Sequence, residues 1–370
     1  MSNQRTISTT ISDHAIAPIE HIPPAEVTVA PSSLEEMALV LEACSTDRLP
    51  VLIWGGGNHQ GIGGRVEPSV ILSTSRLSRI IEWHADDLTL VTQGGVTVQR
   101  INEHLHGQSA ILPEHTPTAT VGGILASGAA GYNRLRMGPP RDHVLGITLI
   151  TGDGRIVKAG GKVVKNVSGY DLMRLATGSL GGLGVIAQVA FKLWPTPSAK
   201  GMVAVADPWL AGTAAYRPTA VLQTATESII YLSGTVQELQ SQASALGGPL
   251  STGHRWPMLP GTEPAWSLRT PPDLLPEAIE RLPEGQPFIA QHLVGEVSFE
   301  SPMTPEQVRE LRAWAASCGG SLIVTNRTGG VHYSIDAWGA TPPGSAMQAQ
   351  IRASFDPARI LNAGRHPGDR

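Results

Sequence analysis

Apolar residues recur at two different spacings along the chain, and these spacings predict helices and strands. Helical spacing is clearest between residues 33 and 46, where one face carries Leu34, Met37, Ala38, Leu41 and Cys44. The preceding segment, Ser32-Ser-Leu-Glu35, resembles a capping box, in which a serine and a glutamate satisfy the first N–H groups of a helix. The pattern therefore predicts an amphipathic helix over 33–46.

Short apolar runs bounded by glycine, proline or charged residues predict β-strands. In the first half of the chain they lie at 49–54, 70–72, 80–83, 88–92, 144–150, 156–158 and 185–193, with helical patterns at 97–105 and 171–177. The turn sequence Gly152-Asp-Gly154 predicts a hairpin between two of these strands. In the second half, strands are predicted at 229–232, 287–293 and 321–325, and helices at 234–246 and 304–317.

These patterns predict an α+β fold in three parts. Residues 1–22 are polar and irregular, which indicates a loose N-terminal arm. The sequence Pro195-Thr-Pro197 favours a boundary between a first domain, 23–197, and a second α+β domain, 198–370. Within the second domain, the proline-rich stretch 250–285 is predicted to be loop.

Composition narrows the class of protein. The chain has 370 residues, 16% of them charged, and a net charge of −4 without a basic block, so a nucleic-acid role has little support. No apolar run approaches the roughly 18 residues of a membrane span, and the N-terminus lacks a signal-peptide pattern. The two cysteines, Cys44 and Cys318, cannot by themselves form an iron–sulfur or cysteine-rich zinc site. We therefore expect a cytoplasmic protein.

Two glycine-rich loops carry the strongest chemical signal. The first, within Trp54–Gly64, follows a predicted strand, and the second, within Thr118–Gly131, precedes a short predicted helix that begins near Ile124. Glycine lets backbone N–H groups converge on an anion, and a helix N-terminus favours a phosphate, so two such loops predict a diphosphate ligand. The Rossmann and P-loop glycine patterns are both missing, and tight structural turns are the alternative explanation.

The order of these segments resembles the FAD-binding domain of the vanillyl-alcohol oxidase and p-cresol methylhydroxylase family. The resemblance covers residues 30–195 most strongly, through Gly55–Gly64, Ala85–Thr97, Thr120–Gly123, Met137–Gly146, Ile150–Arg155 and Gly178–Ile186, with Phe355–Gly364 at the chain end. It implies a p-cresol methylhydroxylase-type FAD-binding domain of two α+β subdomains. A smaller α+β cap domain with an FAD-contacting tail would follow.

The resemblance also implies a set of FAD-binding residues. The pyrophosphate would be surrounded by Gly55, Gly56, Gly57, Asn58 and His59. The side of the phosphates and the flavin would be lined by Thr118, Thr120, Val121, Gly122, Gly123 and Ser127, and the adenine end by Gly184 and Ile186. Asn166, Gly169 and Tyr170 would pack near the flavin. Some family members attach FAD covalently to a histidine of the first loop, but that position is Asn58 here, so we expect non-covalent FAD.

A narrower resemblance, carried by Gly160–Leu175 and Arg141–Gly146, is to the FAD-binding subunit of bacterial glycolate oxidase. It implies a catalytic flavoprotein subunit and an iron–sulfur subunit as partners, through which the chain would be held at the inner face of the cytoplasmic membrane. The Gly-Asp-Gly-Asn-x-His motif of catalytic 2-hydroxy-acid dehydrogenases is missing. Its nearest substitutes are His292, Glu296 and His332. The first two would share a face if the strand predicted at 287–293 continued to Glu296. We expect no metal site.

Three functions follow from these observations. The first is an FAD-binding subunit of a glycolate-oxidising complex, which relays electrons or stabilises the assembly. The second is a self-sufficient FAD-dependent D-2-hydroxy-acid dehydrogenase that uses His292, Glu296 and His332. The third is a non-catalytic structural subunit that keeps the flavin fold for assembly.

Overall fold

A computed structural model describes residues 9–17, 24–161, 171–326 and 335–367. Its helices are α1 (Thr9–Ser12), α2 (Leu34–Asp47), α3 (Val98–His104), α4 (Val121–Ser127), α5 (Arg134–Met137), α6 (Leu172–Ala176), α7 (Pro208–Ala214), α8 (Val236–Leu246), α9 (Leu275–Glu280), α10 (Pro305–Ser317) and α11 (Ser345–Phe355), with 3-10 turns at Pro140–His143 and Pro272–Leu274. Its strands are β1 (Val27–Val29), β2 (Val51–Trp54), β3 (Val70–Ser73), β4 (Ile80–His84), β5 (Thr89–Gln93), β6 (Gln108–Ser109), β7 (Val144–Ile150), β8 (Ile156–Gly160), β9 (Val185–Lys192), β10 (Trp194–Pro195), β11 (Ala199–Ala204), β12 (Ala220–Gln223), β13 (Ser228–Gly234), β14 (Leu250–Thr252), β15 (Ala265–Arg269), β16 (Phe288–Gln291), β17 (Glu296–Glu300) and β18 (Ser321–Asn326).

The described strands form four sheets, and their arrangement confirms the predicted α+β class. A parallel three-stranded sheet has the order β1-β3-β2, and an antiparallel five-stranded sheet has the order β4-β5-β9-β7-β8. A short pair joins β10 to β6. The second half of the chain builds one antiparallel sheet of eight strands in the order β14-β11-β13-β12-β16-β17-β15-β18.

Helix α2 covers the three-stranded sheet through the face that its spacing predicted. Met37, Val40, Leu41 and Cys44 are fully buried, and they pack with strand residues such as Val51 in one apolar core. The cap lies one residue later than the sequence indicated. Ser33, not Ser32, accepts a hydrogen bond through Oγ from the N–H of Glu36, and the Glu36 carboxylate accepts one from the N–H of Ser32. The same helix therefore begins from a cap shifted by one position.

The expected loose arm is packed over its described part. Ile11 of α1 is fully buried against the core that α2 covers. Backbone hydrogen bonds from Ile16 to Thr28 (2.8 Å) and from Ala30 to His14 (2.9 Å) attach this segment to β1. Residues 9–17 therefore pack with α2 and β1. The burial of Ile11 and the two backbone hydrogen bonds stabilise this segment, although its polar composition suggested a loose arm.

Two predictions in the second half of the chain are wrong. The stretch 250–285, expected to be loop, contains β14, β15 and α9, and Trp266 of β15 is fully buried. The strand predicted over 287–293 ends at Gln291, where Leu293 and Gly295 take left-handed φ angles of 65° and 78° and turn the chain into β17. Pairing between strands of the eight-stranded sheet determines where β15, β16 and β17 form, and the local composition of the chain does not predict this pairing.

The C-terminal tail returns from the second half to the first. Leu361 forms a parallel bridge with Val51, and the N–H of Asn362 donates to the Val51 carbonyl at 2.8 Å. The side chain of Asn362 then connects two further segments. Its Oδ1 accepts from the N–H of Ile53 at 2.9 Å, and its Nδ2 donates to the carbonyl of Leu180 at 2.7 Å. The tail therefore ties β2 to the loop that precedes β9.

Replacing Asn362 by alanine should lower the free energy of unfolding by about 2–4 kcal/mol, because it leaves a buried N–H and a buried carbonyl without partners. Chemical denaturation of the full chain measures the change. The matched control is Asn102→Ala at an exposed position of α3, which should stay within about 0.5 kcal/mol of the unmodified chain. Equal effects at the two positions would show that the Asn362 side chain does not hold these segments together.

Candidate cofactor-binding site

A cleft lies where four parts of the described chain meet. Its walls come from residues 53–60, 119–127 and 180–186, and the tail contributes Asn362 and Arg365. These segments are far apart in sequence. Both glycine-rich loops open into the same cleft, which is the arrangement that the diphosphate prediction requires.

The glycines of the first loop let it touch the second. A Cβ on Gly55 would overlap Oγ1 of Thr120, and a Cβ on Gly56 would overlap the carbonyl oxygen of Thr118. The Nδ2 atom of Asn58 also donates to Oγ1 of Thr118 at 3.0 Å. Any larger residue at 55 or 56 would force the loops apart and widen this end of the cleft.

Gly122 brings α4 equally close to the five-stranded sheet. Its N–H donates to the carbonyl of Gly94 at 2.7 Å, and a Cβ on Gly122 would lie 3.1 Å from the carbonyl oxygens of both Gly94 and Ile186. The helix therefore begins against the backbone at the end of β5 and the start of β9. This contact sets the depth of the cleft beneath Gly122 and Gly123.

The two loops differ in the hydrogen-bond donors that they offer to a ligand. The expected phosphate site at the start of α4 is wrong, because the N–H groups of residues 121–124 already donate to Val96, Gly94 and Thr120. In the first loop, the N–H groups of residues 56–59 donate to no other residue of the described chain. The first loop, which lines the cleft, therefore has free backbone donors.

Most of the predicted cofactor residues meet in this cleft. It is lined by Gly55, Gly56, Gly57, Asn58, His59, Thr120, Gly122, Gly123, Ser127, Gly184 and Ile186. Thr118 is exposed and does not line the cleft but accepts a hydrogen bond from Asn58, and Val121 is fully buried in the apolar core. Asn166, Gly169 and Tyr170 lie outside the described residues.

Four polar residues that line the cleft were missed from the sequence: Gln60, Thr74, Asn362 and Arg365. The side chain of Gln60 donates through Nε2 to the carbonyl of Ile53 at 3.0 Å, and its Oε1 is buried without a partner. Arg365 is only 6% exposed, and burial lowers its pKa to about 10. The terminal segment Phe355–Gly364 was a signal for this part of the site, but it stops one residue before Arg365.

His59 is the one histidine that lines the cleft among the described residues. Burial, with a smaller contribution from nearby His115, lowers its pKa to about 4. The imidazole is therefore neutral at pH 7 and a poor proton acceptor. This environment suits a hydrogen-bonding role toward a ligand better than acid–base catalysis.

The catalytic candidates do not line the cleft. His292 follows the end of β16, where its Nε2 lies 2.7 Å from Oε1 of Gln223, and burial lowers its pKa to about 4. Glu296 begins β17 and lies 2.9 Å from Arg134 and 3.4 Å from Arg269. The chain turns between the two residues, so they do not share the face of one strand. His332 lies outside the described residues.

The described residues contain neither a metal-binding cluster nor a membrane-spanning helix. No group of three histidine, cysteine or carboxylate side chains there is arranged to hold a metal ion. In the same residues, no helix has both the length and the apolar character needed to cross a bilayer.

Comparison with known proteins agrees with the geometry of the cleft. Residues 25–160 match the family described as FAD binding domain. The chain is 36% identical over 174 residues to a D-lactate dehydrogenase of Archaeoglobus fulgidus, covering 46% of this chain and 39% of that protein. It is 36% identical over 158 residues to glycolate oxidase subunit GlcE of Escherichia coli, covering 42% of this chain and 45% of that subunit. It is 31% identical over 180 residues to glycolate oxidase subunit GlcD of Bacillus subtilis, covering 47% of this chain and 38% of that subunit.

The matched segments span less than half the length of each of these relatives. The likeness in fold extends over more of the chain. A solved structure of an alkyldihydroxyacetonephosphate synthase superposes on 92% of this chain and on 76% of its own chain, with a TM-score of 0.65 and 15% sequence identity. That likeness concerns the fold alone. Residues 25–160 thus match an FAD binding domain, and the chain is similar to glycolate oxidase subunits and a D-lactate dehydrogenase over less than half of its length.

Proposed function

We propose that this chain is the FAD-binding subunit of a complex that oxidises glycolate to glyoxylate. The observation that carries the proposal is the glycine-lined cleft, whose wall contains both the buried Arg365 and residues 56–59, with N–H groups that donate to no other described residue. Such donors fit the two phosphates of FAD, because a nest of N–H groups and a cation both stabilise negative charge. An apolar ligand would leave these donors unsatisfied.

The relatives support the subunit assignment. The protein from Escherichia coli is named as a glycolate oxidase subunit, and the match covers a larger share of it than of the D-lactate dehydrogenase of Archaeoglobus fulgidus. We propose a catalytic flavoprotein subunit and an iron–sulfur subunit as partners. In that assembly the chain would relay electrons or stabilise the complex, and its partners would hold it at the inner face of the cytoplasmic membrane.

The residues of the cleft would bind and orient the cofactor. Bound FAD supplies an acceptor for the hydride of a 2-hydroxy acid. The first loop would surround the pyrophosphate, with Asn58 fixed by Thr118. Asn58 has no ring nitrogen to alkylate, and neutral His59 is one position away from the attachment site of some family members, so we propose that FAD is held without a covalent bond.

A self-sufficient D-2-hydroxy-acid dehydrogenase is the second candidate function. The similarity to D-lactate dehydrogenases favours it, as does the Nδ1 atom of His292, which is buried without a partner. The surroundings of Glu296 weigh against it. The carboxylate is committed to Arg134 and Arg269 and accepts a hydrogen bond from Ser267, so its charge is already balanced within the protein.

Anaerobic addition of glycolate or D-lactate to the purified chain separates these functions. As an FAD-binding subunit, the chain should carry flavin whose visible absorbance does not bleach, because the substrate groups belong to its partner. Bleaching within the time of mixing would favour the second function. Purified, folded chain without flavin would favour a structural subunit.

Gly122→Asp should abolish FAD binding. The new side chain adds bulk where a Cβ already lies 3.1 Å from two carbonyl oxygens, and it adds a negative charge to a cleft built for phosphates. Flavin content of the purified variant measures the effect. The matched control is Gly285→Asp, in a loop where a Cβ meets nothing within 4 Å and where aspartate tolerates the left-handed φ of 74°. Unchanged flavin in Gly122→Asp would overturn the placement of α4 beside the cofactor.

Denaturation should release all of the flavin. Acid precipitation of the holoprotein is expected to leave a colourless pellet and a yellow supernatant, since neither Asn58 nor neutral His59 provides the covalent link. A pellet that retains flavin absorbance after washing would contradict non-covalent binding. Mass spectrometry of the intact denatured chain gives the same distinction independently.

A further inference from the structure

Arg365 is a buried cation whose charge the described protein does not balance. The residue is 6% exposed and lines the cleft, and its Nε has no hydrogen-bond partner. None of the ion pairs formed by the described residues includes it. Burying an unpaired charge is costly, so such a group is retained where an anion completes it.

The backbone of Arg365 is fixed against the first glycine loop. Its carbonyl accepts hydrogen bonds from the N–H of Gly64 at 3.1 Å and from the indole Nε1 of Trp338 at 2.9 Å. A Cβ on Gly64 would overlap the carbonyl oxygen of Gly364, so the two segments are in direct backbone contact. The backbone from which the Arg365 side chain departs is therefore held in place before any ligand arrives, which reduces the entropy lost on binding.

The cleft contains no competing charge of either sign. The residues that line it include no aspartate, glutamate or lysine, and His59 is neutral at pH 7. Burial lowers the pKa of Arg365 only to about 10, so the guanidinium stays protonated at physiological pH. The cleft wall therefore carries one net positive charge, beside the free N–H groups of residues 56–59.

We infer that the Arg365 guanidinium binds the diphosphate of the cofactor, opposite the N–H groups of the first glycine loop. The inference rests on the proposed FAD function and adds to it a charged residue from the far end of the chain. A planar guanidinium matches phosphate oxygens in pairs, and the glycine loop supplies neutral donors on the other side. The cation that the glycine loop itself lacks is thus provided by the returning tail.

Titration of the apoprotein with FAD tests this assignment. Arg365→Met should raise the Kd for FAD about 10- to 100-fold, the range expected for loss of a hydrogen bond to a charged group. Arg365→Lys should give an intermediate Kd, because it keeps the charge and loses the paired geometry. Arg359→Met, at an exposed position of the same tail, is the matched control and should bind FAD as the unmodified chain does.

Thermal unfolding separates binding from a structural role. Apo Arg365→Met should melt at or above the temperature of the unmodified apoprotein, because a buried unpaired charge has been removed. Inorganic pyrophosphate should raise the melting temperature of the unmodified apoprotein but not that of Arg365→Met. A purely structural arginine would instead lower the melting temperature of the apo variant.

The outcomes distinguish this inference from the proposed function. Unmodified chain that binds no FAD would overturn both. Unmodified chain that binds FAD, together with Arg365→Met of equal affinity, would overturn the role of Arg365 and leave the FAD function intact. If Arg365→Met does not fold, Arg365→Gln replaces it. A Kd for FAD and a response to pyrophosphate equal to those of the unmodified chain would then overturn the role of Arg365.

Discussion

The side-chain amide of Asn362 is the contact on which the cleft depends. It joins the end of β2, which leads into the first glycine loop, to the loop before β9, and it brings the tail that carries Arg365. Buried backbone groups without partners are costly, so these two hydrogen bonds fix the separation of three cleft walls. Asp356 supports the same turn, since its carboxylate accepts from the N–H groups of Ile360 and Leu361.

Within that frame, the wall of the cleft contains exposed backbone and one cation. The glycines have two functions that the sequence does not separate. Gly55, Gly56 and Gly122 allow segments to approach one another, whereas the N–H groups of residues 56–59 stay available to a ligand. The eight-stranded sheet stays close to this region through the ion pair of Arg134 with Glu296, so a residue suspected of catalysis instead joins α5 to β17.

The sequence predicted most elements whose signal is local. Helix α2 and the hairpin of β7 and β8 follow from apolar spacing and an Asp-Gly turn, and residues of both glycine loops line one cleft. The failures share a physical cause. The N–H groups of Val121 and Gly122 at the start of α4 donate to Val96 and Gly94, which follow β5, and the pairing of β15 with β17 and β18 overrides a proline-rich composition.

By itself, the sequence determined the α+β class and the glycine loops, because backbone flexibility and apolar periodicity are properties of short segments. The FAD-type ligand came from its resemblance to a known family. The tertiary structure alone decided which donors remain free, since a hydrogen bond from Gly122 to Gly94 cannot be seen in either segment separately. It also decided that Arg365 enters the cleft and that His292 and Glu296 do not. Each of these features depends on contacts between segments that are distant in sequence, so only the tertiary packing determines them.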